Sequence, residues 1–282
     1  MKLCRFGALN AERPGLIDDQ GRLRDLSDVL DDIGPDQLSE DIFEMLNGID
    51  VEALPIVSGS VRMGAPIAGI SKYICIGLNY SDHAAESGLP IPTEPIIFLK
   101  ATSAISGPND PIIQPPHSSQ LDWEVELGIV IGKTAQYVSE DDALDHVAGY
   151  CLMNDVSERT FQLQSTQWDK GKGCDSFGPI GPWMVTKDEI RDVHNLEMWL
   201  DVNGARMQTG NTQNMIFKIP EIVSYCSRYM TLRPGDVIAT GTPPGVGMGI
   251  KPNPVWLHPG DTVQLGIQGL GQQTQQVVKH GS

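Results

Sequence analysis

QLDWEVELGIVIGK, residues 120–133, is the stretch on which the reading of this 282-residue chain turns. In an extended strand the side chains alternate, so Asp122, Glu124 and Glu126 share one face while Trp123, Val125 and Leu127 share the other. Beyond Gly128, the run Ile129, Val130 and Ile131 is apolar on both faces. A strand apolar on both faces is covered on both faces. The acidic residues therefore sit at the entry to a buried strand, where ionised carboxylates are costly unless they hold a cation.

Outward from this strand, apolar runs alternate with glycine and proline turns from Lys72 almost to the end. KYICIG (72–77), PIIFLK (95–100), HVAGYCLMND (146–155), LEMWLDVNG (196–204), DVIATG (236–241) and DTVQLGI (261–267) read as further strands. Helices are few: SDHAAES at 81–87, SERTFQLQ at 157–164, and IPEIVSYCSRYM at 219–230, where Pro220 suits a first-turn position. LRPGDVIATG and LHPGDTVQLG repeat a Pro-Gly-Asp turn that launches a strand. The expected fold class is α+β and mainly β, a mixed sheet folded on itself. Residues 1–70 read as a small N-terminal α/β unit: MKLCRFG and RPGLIDD as strands, DDQG as a hairpin turn, and QLSEDIFEMLNG as a helix stopped by Gly48. Residues 71–282 then form the main domain.

Composition excludes several functions. Twenty Lys and Arg stand against 36 Asp and Glu, a formal charge of −16. Nucleic-acid binding draws on a positive field, and an anionic membrane surface repels such a chain, so neither partner is expected. No apolar run approaches the ~20 residues of a membrane helix. The first residues lack the pattern of a secretory signal, and five scattered cysteines without a C-x-x-C pair suit a reducing cytoplasm.

Glu124 and Glu126, two apart, can converge on one ion, and GYCLMND ends another strand with Asn154 and Asp155. A site of oxygens alone favours Mg²⁺, Mn²⁺ or Ca²⁺ over zinc. The same pattern also fits a solvated acidic strand edge. Arg159, Lys170 and Lys172 follow, with Gly171, Gly173 and Gly178 allowing close backbone approach to a ligand. His83 and Glu86, three apart on the 81–87 helix, form a pair in which the carboxylate can orient an imidazole that activates water; a surface pair is the plainer alternative. DVIATGTPPGVGMG (236–249) opens from a strand into a Thr/Gly/Pro loop able to hold a carboxylate.

GLNYSDHAAE, the L-D-W-E-V-E-L strand, N-D-V-S-E-R, W-D-K-G-K followed by D-S-F-G-P-I-G-P, and T-G-T-P-P-G-V-G occur in the order seen in the fumarylacetoacetate hydrolase family, and the chain resembles that family over roughly residues 70–280. The resemblance implies a mixed β-roll catalytic domain, a homodimer and a divalent cation, Mg²⁺ first. It places Glu124, Glu126 and Asp155 as metal ligands, His83 and Glu86 as the water-activating dyad, Lys170 beside them as a catalytic cation, and Arg159, Gln162 and Thr242 as substrate contacts. The implied reaction is hydrolysis of a carbon–carbon bond in a small anionic 2,4-diketo acid, as in the branch of the family acting on 2,4-diketo-3-deoxy-L-fuconate in sugar-acid breakdown. A lyase, decarboxylase or isomerase acting on a related keto acid or on ureidoglycolate is the alternative.

Overall fold

Residues 125–131 form the middle of a nine-stranded sheet in the computed structural model, which describes residues 1–82, 86 and 90–281. Val125–Ile131 is buried at every position and lies antiparallel to Val147–Asn154 on one side and to Val237–Ala239 on the other. The sheet continues through Tyr73–Gly77, parallel to Val237–Ala239, and ends at Ile96–Lys100. A second sheet of five strands runs in the order Ala205–Asn211, Glu197–Val202, Thr262–Ile267, Gly271–Lys279 and Ile112–Gln114. The protein is α+β and mainly β, as its strand pattern implies.

Alternation explains how the central strand is covered on both faces. Val125, Leu127, Ile129 and Ile131 point into a core shared with Leu200, Val263 and Leu265 of the five-stranded sheet and with Ile222, Val223 and Cys226 of the helix Ile219–Tyr229. That helix buries Ile219, Ile222, Val223 and Cys226, the i, i+3, i+4, i+7 stripe of an amphipathic helix, and carries Pro220 in its first turn. Val130, Cys151, Met153 and Ala239 face the other way, into a core with Leu3, Leu26, Ile33, Leu38 and Leu46 from the first 70 residues. The N-terminal segment thus covers the second face. It is also hydrogen-bonded into the same sheet: Lys2–Phe6 pairs with Met184–Thr186, Lys2 opposite Val185 and Leu3 opposite Met184.

The two Pro-Gly-Asp segments build the same turn. Asp236 N–H donates to Arg233 O and Asp261 N–H to His258 O, both at 3.0 Å, and Gly235 and Gly260 take φ of 84° and 101°. Proline followed by a positive-φ glycine is the signature of a type II turn. Each aspartate then accepts the N–H three residues back, Arg233 at 2.6 Å and His258 at 2.7 Å, closing the turn before its strand begins.

The structure departs from the expected pattern in two places. Alternation from Asp122 to Glu126 is interrupted: Leu121–Asp122 pairs with Ser157–Glu158 as a separate two-stranded ladder, and the long strand starts at Val125. The strands Ile112–Gln114, Met184–Thr186, Ala205–Asn211 and Gly271–Lys279 were not foreseen from hydropathy. In the last of these, Gln273 and Gln275 are buried, and their amides are satisfied by Leu152 O, Gly181 O and Pro108 O. Among the described residues no helix is long and apolar enough to cross a membrane.

Candidate active site

The interruption at residues 123–124 aims Glu124 and Glu126 at one point. There they meet Asp155, which lies one residue past the end of Val147–Asn154; one oxygen of each of the three carboxylates lies within 4.8 Å of the others. Main-chain bonds hold the set. Asp155 N–H donates to Glu124 O at 2.9 Å, and Asn154 Oδ1 accepts from Glu124 N–H at 3.1 Å. Asn154 is steadied in turn by its Nδ2 donating to Gln275 Oε1 at 3.1 Å.

Three cations surround the carboxylates. Lys172 Nζ reaches Glu124 Oε2 at 2.9 Å and Asp155 Oδ2 at 2.6 Å; Lys100 Nζ contacts the other oxygen of Asp155 and donates to Val156 O at 3.0 Å. The Arg159 guanidinium spreads over three acceptors: Glu124 Oε1 at 2.6 Å, Asp122 Oδ2 at 2.8 Å and Gln162 Oε1 at 2.9 Å. Glu126 accepts from Gly241 N–H at 2.8 Å. Four buried carboxylates, with Asp122 included, thus face three buried cations. With all four ionised the described groups sum to one net negative charge, and a divalent ion among them would make the sum one positive, a polarity that attracts an anion.

The titration behaviour of the two glutamates differs accordingly. Burial opposes ionisation of Glu124, yet Lys172 and Arg159 outweigh it and bring the carboxyl down to about 2. Glu126 is pushed well above its ordinary value, by burial first and then by the charges of Asp155 and Glu124. A carboxyl kept neutral by burial and by neighbouring carboxylates is one that a divalent cation would ionise. All-oxygen donors of this kind suit a hard divalent cation. A testable consequence concerns pH. Between the ordinary glutamate value of 4.5 and its raised folded value, Glu126 keeps a proton that the unfolded chain has released, so metal-free stability falls as pH rises through that window. A divalent cation bound by the triad would replace the proton. The gain in melting temperature from a saturating divalent ion is therefore expected to grow with pH across the window, by roughly 2–4 °C per unit, measured by thermal melts with and without ion from pH 5 to 8. A pH-independent gain would mean that Glu126 is already ionised in the metal-free protein.

Glu124 and Glu126 of the triad open on a cavity of about 360 Å³. Glu124, Glu126, Arg159, Gln162, Lys172, Gly241 and Thr242 line it together with the apolar side chains of Phe98, Leu163, Trp168 and Met248. Phe98 and Trp168 pack edge to face at 5.3 Å, and Lys172 Nζ lies 5.1 Å from the Phe98 ring centre. Glu86 also lines the cavity, and its carboxylate accepts from Gly245 N–H at 3.1 and 3.2 Å. His83 lies outside the described residues. The Thr242 hydroxyl donates to Val125 O and accepts from Gln208 Nε2, each at 2.9 Å, so it ties its loop to the central strand.

The largest departure from expectation is at the basic residues. Lys172, not Lys170, enters the site. The short helix Asp169–Lys172 turns the two lysines apart: Lys172 is buried against the carboxylates, while Lys170 is exposed and donates to Gln164 Oε1 at 2.8 Å. Sequence reasoning also missed Lys100, and it placed Asp122 on the face of Glu124 and Glu126 without giving it a partner. A lysine closing the apolar run PIIFLK was the available signal for the first, because a cation at the end of a buried strand needs a partner.

Residues 72–278 match the model of the fumarylacetoacetate (FAA) hydrolase C-terminal domain. The chain belongs to the fumarylacetoacetate hydrolase family. One family relative, 2,4-didehydro-3-deoxy-L-rhamnonate hydrolase of Sphingomonas sp. strain SKA58, is 55% identical over 278 residues, covering 98% of this chain and 96% of the relative. Among solved structures of the fumarylacetoacetate hydrolase fold, the fumarylacetoacetate hydrolase of psychrophilic Exiguobacterium antarcticum superposes with a TM-score of 0.85 at 36% identity, over 99% of this chain and 100% of that one. Maleylpyruvate hydrolase of Sphingobium sp. SYK-6, solved with manganese(II) and pyruvate, superposes with a TM-score of 0.82 at 31% identity, over 99% of both chains.

Proposed function

We propose that this protein hydrolyses the C3–C4 bond of a 2,4-diketo acid of the acylpyruvate type, releasing pyruvate and a second acid, with Mg²⁺ or Mn²⁺ held by Glu124, Glu126 and Asp155. The observation that carries the reading is the buried acidic triad, compensated by Lys172, Lys100 and Arg159, with two of its carboxylates lining a cavity large enough for a small acid. When bound by those three carboxylates, the cation would supply Lewis-acid polarisation to a keto acid. Arg159 and Lys172 compensate negative charge as it develops on the pyruvyl half. Gln162, with its Oε1 fixed by Arg159, has an amide N–H₂ to offer a carboxylate or keto oxygen. His83, oriented by Glu86, takes the proton from the water that adds to the 4-keto carbon, and later returns a proton to C3 of the departing pyruvate enolate. One water is consumed: its oxygen ends in the new carboxyl group, one of its hydrogens ends on C3 of pyruvate, and the other is released as the second acid ionises.

Phe98, Leu163, Trp168 and Met248 give the cavity an apolar side, which suits a short tail ending in a methyl group. Such a tail occurs in 2,4-didehydro-3-deoxy sugar acids of the L-rhamnonate and L-fuconate series, whose second product is lactate. Incubating the protein and Mg²⁺ with a panel of 2,4-diketo acids tests this. Stoichiometric pyruvate and a second acid support hydrolysis, whereas carbon dioxide or an isomer in place of two acids shows decarboxylation or isomerisation. His83→Ala is expected to abolish turnover and leave Mg²⁺ affinity nearly unchanged; undiminished turnover by that variant would remove His83 from the mechanism.

A further inference from the structure

Asp122 is fully buried beside the cavity, and the mechanism above gives it no task. Its carboxylate takes four donors, two on each oxygen. Oδ1 accepts the main-chain N–H of Trp123 at 2.8 Å and of Gly247 at 2.6 Å. Oδ2 accepts Arg159 Nε at 2.8 Å and the N–H of Met248 at 3.1 Å. The neighbouring Trp123 grips the same loop, its indole Nε1 donating to Gly245 O at 3.1 Å. On its far side that loop gives Gly245 N–H to Glu86. Its close seat is built in: a Cβ at Gly247 would fall 2.1 Å from Val255 O and 2.8 Å from Asp122 Oδ1.

One carboxylate therefore joins two walls of the cavity: Arg159, which runs on to Glu124 and Gln162, and the 245–249 loop, which meets Glu86. Buried charge pairs contribute little net stability once desolvation is counted; what they supply is fixed geometry. We propose that Asp122 is a positioning residue that ties Arg159 to the 245–249 loop and so sets the spacing between the cation that reads the substrate's anionic half and the backbone that receives Glu86. This role rests on the acylpyruvate reading.

Asp122→Asn is the discriminating variant, because an amide in either orientation presents N–H₂ to two of the four donors and loses those bonds. The expected result is a rise of about tenfold in the pyruvate Kd of the Mg²⁺-loaded protein by calorimetry, and about tenfold faster amide exchange at Gly247 or Met248, with Mg²⁺ affinity changed less than about threefold. Arg159→Lys, which cannot fill Nε and both terminal nitrogens at once, is expected to speed exchange at Met248, which shares Oδ2, more than at Gly247. Faster exchange with unchanged pyruvate affinity would reduce Asp122 to a loop anchor and overturn the tie. So would weakened pyruvate binding with unchanged exchange, or an Arg159→Lys protein whose Met248 amide is as protected as before. Should Asp122→Asn not fold, Gly247→Ala displaces the loop without touching Arg159, and pyruvate affinity as in the parent protein would again overturn the tie. Failure of the parent protein to bind pyruvate would instead sink the acylpyruvate reading, and the Arg159→Lys exchange comparison would still decide whether Asp122 couples the two walls.

Discussion

Lys172→Met is expected to lower kcat on a 2,4-diketo acid by roughly 10³-fold, while Lys170→Met changes it less than about threefold. Two residues apart in D-K-G-K, the lysines have the same charge and opposite surroundings. Lys172 is buried to 2% exposure between Glu124 and Asp155, so its ammonium is positioned before substrate arrives and needs no reorganisation as charge develops. Methionine keeps most of the volume and removes the charge. Without a divalent ion, the variant leaves Glu124 and Asp155 with less compensation, and a loss of about 3–5 kcal/mol in unfolding free energy is expected. A saturating divalent ion is expected to recover part of that stability but not the rate. Steady-state kinetics with urea unfolding, with and without ion, separates the two effects. Equal losses from both lysine variants would show that the short helix does not divide them as described.

Glu124→Gln and Glu126→Gln are expected to differ, although both remove one carboxylate from the triad. Each costs at least about 10²-fold in Mg²⁺ affinity, because a neutral amide oxygen replaces a charged donor. Glu126 accepts one hydrogen bond from the main chain, from Gly241, and the Glu126→Gln protein is therefore expected to regain much of its turnover when Mg²⁺ is raised about a hundredfold. Glu124 also pairs with Lys172 and Arg159. Its replacement takes one charged partner from each of two buried cations, which keep Asp155 and Asp122, as well as weakening the ion, so KM for the diketo acid is expected to remain about tenfold high at any Mg²⁺ concentration. Calorimetric Mg²⁺ titration and KM measured against Mg²⁺ give both quantities. Full recovery of the Glu124 variant at high Mg²⁺ would mean that its ion pairs do not bear on substrate.

What the sequence made legible follows from what its local patterns encode. The run Ile129–Ile131 announced a strand covered on both faces, and the two cores that meet it bear this out. Proline and glycine before Asp236 and Asp261 specified two like turns because φ at those positions leaves few alternatives. Glu124, Glu126 and Asp155 could be gathered in advance because each ends or begins an apolar run. Other features depend on direction or distance that one-dimensional patterns do not carry. Which of Lys170 and Lys172 faces inward is decided by one turn of helix. Lys100 meets Asp155 across 55 positions of chain. GQQTQQVVK hides a strand because Gln273 and Gln275 are buried through hydrogen bonds, a kind of burial that hydropathy does not score. Asp122 was grouped with the ligands by alternation, whereas a break in the strand hands it to Arg159 and the glycine loop.

The pairing of Lys2–Phe6 with Met184–Thr186 has a consequence for synthesis on the ribosome. The first strand leaves the exit tunnel early, yet its partner is made some 180 residues later, a delay on the order of 10–40 s at ordinary elongation rates. Until then Leu3 and Phe6, both buried in the finished protein, must wait with one strand edge open. The local hairpin with Arg13–Ile17 gives them a shelter that forms without waiting, through five consecutive residue pairs from Lys2 to Phe6. The first 25 residues thus have strand partners among themselves, and their remaining edge has none until Met184–Thr186 has been made.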